Sequence, residues 1–122
     1  MYRILVETEF QAAHGVELFG SGREQPHEHL WRVQAAVNCR ELDQRQMGID
    51  FLELKPLLED IVGTFEGRRL EQHKAFKKAN ATAEMVARLI YDQLAPKLPP
   101  EKKLAWIEVT EAPGCRVRYL PD

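Results

Sequence analysis

From Tyr2 to His14 apolar and polar positions alternate: Tyr2, Ile4, Val6, Phe10, Ala12 and His14 share one face, and Arg3, Glu7, Glu9 and Gln11 the other. A period of two is that of a half-buried strand, so the pattern predicts a long first strand whose apolar face ends in a histidine. Residues 15–26, GVELFGSGREQP, are rich in glycine and polar groups and predict a loop. Alternation resumes from about Glu28 to Cys39, with His29, Trp31, Val33, Ala35 and Val37 on one face and Arg32, Gln34 and Asn38 on the other. The simplest pairing is an antiparallel hairpin with a wide loop, which sets the end of the first strand beside the start of the second.

After ELDQRQMG the period lengthens to about 3.6. Phe51, Leu54, Leu57, Leu58, Ile61, Val62 and Phe65 form an apolar stripe, with Asp50 as cap and Pro56 acceptable only near the helix start. A charged connector, EGRRLEQHKAFKKAN, leads to a second helix opening at about Thr82, with Val86, Leu89, Ile90 and Leu94 as its buried stripe. Thr82 is a natural N-cap, and Glu84 in the first turn suits the helix dipole. PKLPPEKK ends this helix. LAWIEVTEA and CRVRYLP then predict two more strands, with Ile107, Val109 and Glu111 on one face of the third and Cys115, Val117 and Tyr119 on one face of the fourth.

The order ββααββ argues for an α+β fold, a four-stranded antiparallel sheet covered on one side by two helices. A chain of 122 residues suffices for a single domain over residues 1–122. The sheet's edge strands are left unpaired, and oligomerisation through them, into a closed barrel with sites between subunits, is one remedy.

Composition narrows the function. Apolar residues make up 44% and charged residues 30%, and the formal charge of -2 provides no basic field for nucleic acid. The alternating N-terminus resembles neither a signal peptide nor a membrane span, so a cytoplasmic protein without a membrane partner is expected. Cys39 and Cys115 lack CxxC spacing and read as small buried or half-buried residues.

The chemistry concentrates in QPHEHLWRV, residues 25–33. Strand residues two apart point the same way, so His27 and His29 can offer two imidazoles from one strand, and His14 a third from its neighbour. Three imidazoles with a fourth position open is a catalytic zinc pattern. A pair of histidines at a strand end can equally be ordinary polar residues, although three of the chain's four histidines converge here. Glu111 continues the apolar face of Ile107 and Val109, where a carboxylate is costly unless it finds donors. Either a ligand with a guanidine-like N–H edge satisfies it, or it has reached solvent.

FQAAH at 10–14, HEHLWRV at 27–33, MGIDFLELK at 47–55, ATAEMVA at 81–87 and IEVTE at 107–111 together resemble the successive blocks of the 6-pyruvoyltetrahydropterin synthase and 6-carboxytetrahydropterin synthase family. The resemblance implies the tunnelling fold, ββααββ subunits assembled into a barrel, commonly a homo-hexamer. It implies zinc held by His14, His27 and His29, and a pterin anchored by Glu111 with help from Thr82 to Glu84. It also implies a carbon–oxygen or carbon–carbon lyase acting on 7,8-dihydroneopterin triphosphate or dihydroneopterin, by side-chain elimination or cleavage.

The chain departs from that pattern at its proton-handling positions. The family's cysteine before the H-x-H pair is absent from GSGREQ, and Cys39 and Cys115 do not align with it. Glu24 instead resembles an E-x-x-H-G-H variant in which glutamate replaces the cysteine, associated with retro-aldol cleavage to 6-hydroxymethyldihydropterin. Glu28 replaces the glycine of that motif and is expected to bring a negative charge near the metal. The family's Asp-His pair after a leucine corresponds to Leu70-Glu71-Gln72-His73, so His73 is a second candidate for proton transfer. A non-catalytic member that binds a pterin or purine-like ligand is the alternative.

Overall fold

The computed structural model describes residues 1–122. Strands β1 (Tyr2–His14), β2 (His27–Cys39), β3 (Lys103–Ala112) and β4 (Cys115–Tyr119) form one antiparallel sheet in chain order. Helices α1 (Phe51–Val62) and α2 (Ala83–Leu94) pack on one face, α1 against β1 and α2 against β3 and β4. This is the ββααββ, α+β arrangement that the periodicities predict. No helix is long and apolar enough to cross a membrane.

Both helices begin where the sequence places a cap. The Asp50 carboxylate accepts from the Leu52 N–H at 2.8 Å, and the Thr82 hydroxyl accepts from the Met85 N–H at 3.2 Å. Pro56 falls in the second turn of α1, where the bond it cannot donate would have gone to the carbonyl of Leu52. Leu52 is 82% exposed, so water can serve that oxygen. The helix ends at Val62, and a short 3-10 turn, Gly63–Phe65, carries Phe65 into the core in place of the longer helix that the stripe suggested.

The inward faces of β1 and β2 supply the core. Phe10 stacks on Trp31 with ring centroids 5.6 Å apart and planes 7° from parallel, and it meets Phe65 at 5.5 Å. The Trp31 indole N–H donates to the Ala12 carbonyl at 3.1 Å, so the only polar atom of a fully buried side chain is satisfied. Two expected core positions lie outside it. Tyr2 and Phe51 are 53% and 61% exposed because they sit at the end of the sheet remote from His14, where both line a shallow surface groove. Cys39 is buried as expected, but Cys115, the first residue of the short edge strand β4, is exposed.

The stack of Phe10 on Trp31 lies in the core directly beneath the histidine-bearing ends of β1 and β2, with Trp31 edge-on to His14. Phe10→Ala is therefore expected to lower unfolding free energy by about 3–5 kcal/mol, read as a shift in the urea midpoint without loss of cooperativity.

Candidate functional site

The β1–β2 register pairs His14 with His27 and Ala12 with His29, which brings three imidazoles onto the helix-covered face at one end of the sheet. Ring centroids are 4.5 Å apart for His14–His27 and for His27–His29, and 5.6 Å apart for His14–His29. Trp31 lies edge-on below them, 4.8 Å from His14 and 6.0 Å from His29. Glu111 joins the group from β3, and one ligand atom from each of the four residues lies within 4.8 Å of the others.

The backbone fixes how the rings face. His14, only 1% exposed, places Nδ1 2.7 Å from the Ala81 carbonyl. A carbonyl can only accept, so Nδ1 carries the proton and the Nε2 lone pair faces the cluster. Ala81 immediately precedes the cap of α2, so the start of that helix sets the tautomer. His27 Nδ1 lies 3.2 Å from the Gln25 carbonyl, which leaves its Nε2 for the cluster in the same way. Burial, reinforced by the charge of neighbouring His27, holds the His29 imidazole below its usual range, so the neutral form that ligates a metal is favoured.

Nε2 of His14 and Nε2 of His29 are both buried without a hydrogen-bond partner. Orphaned ring nitrogens of this kind are costly in an apolar setting. A cation coordinated by them removes the cost, and three imidazoles beside a carboxylate are a donor set suited to zinc. The residues present therefore fit the metal that the sequence implies.

A cleft of about 420 Å³ opens over this cluster, and its walls include His14, His27, Glu24, Thr82, Glu84 and Glu111. Glu24 arrives on the loop between β1 and β2. Its carboxylate accepts from the Val16 N–H at 3.0 Å, while its own N–H donates to the Val16 carbonyl at 3.0 Å. The loop returns so closely that a Cβ on Gly15 would stand 2.6 Å from the Glu24 carbonyl, so only glycine permits this path. Glu71 braces the same turn by accepting from the Gly15 N–H at 2.9 Å.

Glu28 and His73 are placed differently from expectation. Glu28 pairs with Ala13 and is exposed, since the strand's alternation turns it to the face opposite His27 and His29; its charge does not join the cluster. His73 is only 7% exposed and packs between Phe65 and Phe76. Its Nδ1 accepts from the Ala75 N–H at 3.0 Å, so Nε2 carries the proton and donates to the Thr64 hydroxyl at 3.1 Å, which in turn donates to the Ile61 carbonyl. Both ring nitrogens are committed to holding the connector, and His73 does not line the cleft. The sequence reading also passed over two contributors. The Ala81 carbonyl leaves no side-chain signal, and Cys115 reaches the cleft wall only because the Pro113–Gly114 turn folds β4 back beside Ala112.

Burial, and then the charges of Arg68 and Lys74, hold the His73 imidazole below its usual range. An unfolded histidine protonates near pH 6.5 or so, so the stability contributed by neutral His73 is complete above that pH. It is lost as pH falls from there towards the lower folded-state value. Metal-free protein is expected to lose more of its urea midpoint between about pH 7.5 and about pH 5 than His73→Gln does.

A family model described as 6-pyruvoyl tetrahydropterin synthase matches residues 3–122. The fold is similar to that of the Caenorhabditis elegans 6-pyruvoyl tetrahydropterin synthase, with a TM-score of 0.87 at 19% identity over 99% of this chain and 96% of that one. It is also similar to the Plasmodium vivax enzyme, with a TM-score of 0.78 at 16% identity over 97% and 96% of the two chains. A form of that enzyme with alanine in place of a catalytic glutamate gives a TM-score of 0.76 at 16% identity over 97% and 96%. No curated protein matches the chain in sequence.

Proposed function

The chain belongs to the 6-pyruvoyl tetrahydropterin synthase family and has its tunnelling fold, and from that premise we propose that it is a zinc-dependent pterin lyase acting on 7,8-dihydroneopterin or its triphosphate. The observation that carries this is the trio of imidazoles, His14 buried and His27 and His29 half-buried, two of them with a buried ring nitrogen that lacks a hydrogen-bond partner, below a cleft with Glu24 on its wall.

His14, His27 and His29 would hold the zinc ion, whose Lewis acidity would ease proton loss from side-chain oxygens of the substrate. Glu111, Thr82 and Glu84 line the cleft where the pterin would lie, and the Glu111 carboxylate can accept from its N–H edge. Glu24 is the general base. Held at the cleft by the Val16 N–H, its carboxylate takes the proton of a side-chain hydroxyl. That oxygen becomes a carbonyl as the adjacent carbon–carbon bond breaks. The released electron pair passes into the ring imine, and a proton returns to the carbon left on the pterin. Aldol cleavage is favoured over side-chain elimination because glutamate stands where the family's cysteine would. In the Plasmodium vivax 6-pyruvoyltetrahydropterin synthase a glutamate is a catalytic residue, which supports a glutamate in the catalytic role proposed for Glu24.

A homo-hexamer with sites between subunits belongs to the same proposal. β1 and β4 are both unpaired edges, and Cys115, Arg116 and Val117 of β4 form one side of the cleft. A neighbour pairing with that edge would complete the open side. Cytoplasmic residence accompanies this role. A second reading, a pterin-binding member without turnover, draws on the absent cysteine and on the commitment of His73 to the connector.

Zinc-loaded protein incubated separately with 7,8-dihydroneopterin and with its triphosphate should yield a pterin shortened at its side chain, identified by chromatography and mass. Glu24→Gln should slow that product by roughly 100-fold or more. Unchanged substrates that nonetheless bind would establish the non-catalytic reading, and the absence of binding by either pterin would defeat both.

A further inference from the structure

The Glu111 carboxylate stands 2.9 Å from Nε2 of His14, a close contact without hydrogen-bond geometry. The His14 proton is held on Nδ1 by the Ala81 carbonyl, so the atoms facing each other are a carboxylate oxygen and a ring lone pair. A cation held between these two atoms, a second ring proton or a metal ion, satisfies both, and Nε2 of His29 and the ring of His27 lie close enough to share a metal. A β-bulge sets the approach: Thr110 pairs with Arg116 and Ala112 with Cys115, which leaves Glu111 unpaired at the irregularity and aimed into the cluster. Of the other acidic candidates, Glu28 lies on the opposite face, and Glu24 lines the cleft but is engaged by the Val16 N–H and stands outside the group of four ligand atoms.

Resting on the zinc reading above, we propose that Glu111 is the fourth metal ligand of the resting protein and that the pterin must displace it. A catalytic zinc site ordinarily keeps one position open to water or substrate. Here a protein oxygen closes that position. The Glu111 side chain is 28% exposed and lines the cleft, so it can turn from the metal towards a ligand. A pterin offering N–H donors draws the carboxylate away and frees a coordination position for the pterin's own side-chain oxygens. A small molecule that carries hydroxyls but no such N–H edge meets a closed metal. Recognition of the ring and access to the metal thereby become one event, set by one residue.

The test uses full-length protein, wild type and Glu111→Gln, stripped of metal and reconstituted with zinc or cobalt(II). Zinc affinity is measured by competition with a chromophoric chelator, and coordination by the visible absorption of the cobalt form. Glu111→Gln is expected to weaken zinc binding by about tenfold or more and to change the cobalt spectrum. Adding 7,8-dihydroneopterin should shift the wild-type spectrum with the metal still bound, whereas glycerol should not. If Glu111→Gln does not fold by circular dichroism, Glu111→Asp, which keeps the charge and shortens the reach, takes its place with the same expectation. Zinc affinity and cobalt spectrum unchanged in the variant would overturn the role of Glu111 while leaving the three-histidine site intact. A wild type whose metal affinity does not fall in His14→Ala would overturn the zinc reading itself.

Discussion

The register between β1 and β2 is the constraint on which the rest depends. A strand pair slipped by one residue turns every side chain of the moved strand to the opposite face. Here such a slip would expose Trp31, bury Arg32 and send His27 and His29 away from His14. The register is held by two contacts of one residue, the stacking of Trp31 on Phe10 and the indole bond from Trp31 to the Ala12 carbonyl. The same residues that stabilise the sheet thus locate the site, and the histidines need no scaffold beyond the hydrophobic pattern of the two strands carrying them.

Backbone groups from distant segments then finish what the strands begin. The Ala81 carbonyl orients His14 from 67 residues away in sequence, the Gly15 N–H is braced by Glu71, and the Val16 N–H holds Glu24. Each is a short, directional contact to a rigid acceptor or donor, so little conformational freedom remains to be lost when a ligand arrives. Preorganisation here comes from hydrogen bonds that cross between elements.

Strand periodicity made β1 and β2 legible to within a residue, and with them the convergence of His14, His27 and His29. The caps at Asp50 and Thr82 were legible because their chemistry is local. Glu28 and His73 lie apart from the cluster for different physical reasons. For Glu28, the strand's alternation turns it to the other face despite its nearness in sequence to the histidines. For His73, the connector's short 3-10 turns have no periodicity from which burial could be read, and its partners Thr64 and Ala75 follow only from the tertiary path. The bulge at Glu111 was equally hidden, because it is a property of the β3–β4 pairing and not of either strand alone.

The loop between β1 and β2 is secured at its stem, not at its tip. Val16 and Glu24 exchange backbone and side-chain bonds, Arg23 donates to the Gly15 carbonyl, and Asn80 clasps both the N–H and the carbonyl of Glu17. Beyond that stem the chain turns back on itself through a bond from the Leu18 N–H to the Gly22 carbonyl, with Gly20 and Gly22 at positive φ and Phe19 84% exposed. Mechanically the stem is a collar and the tip a free bight. Residues 18–22 can be lengthened, shortened or exchanged as a cassette while the collar keeps the carboxylate at its station, so descendants of this chain can diversify here without renegotiating their chemistry.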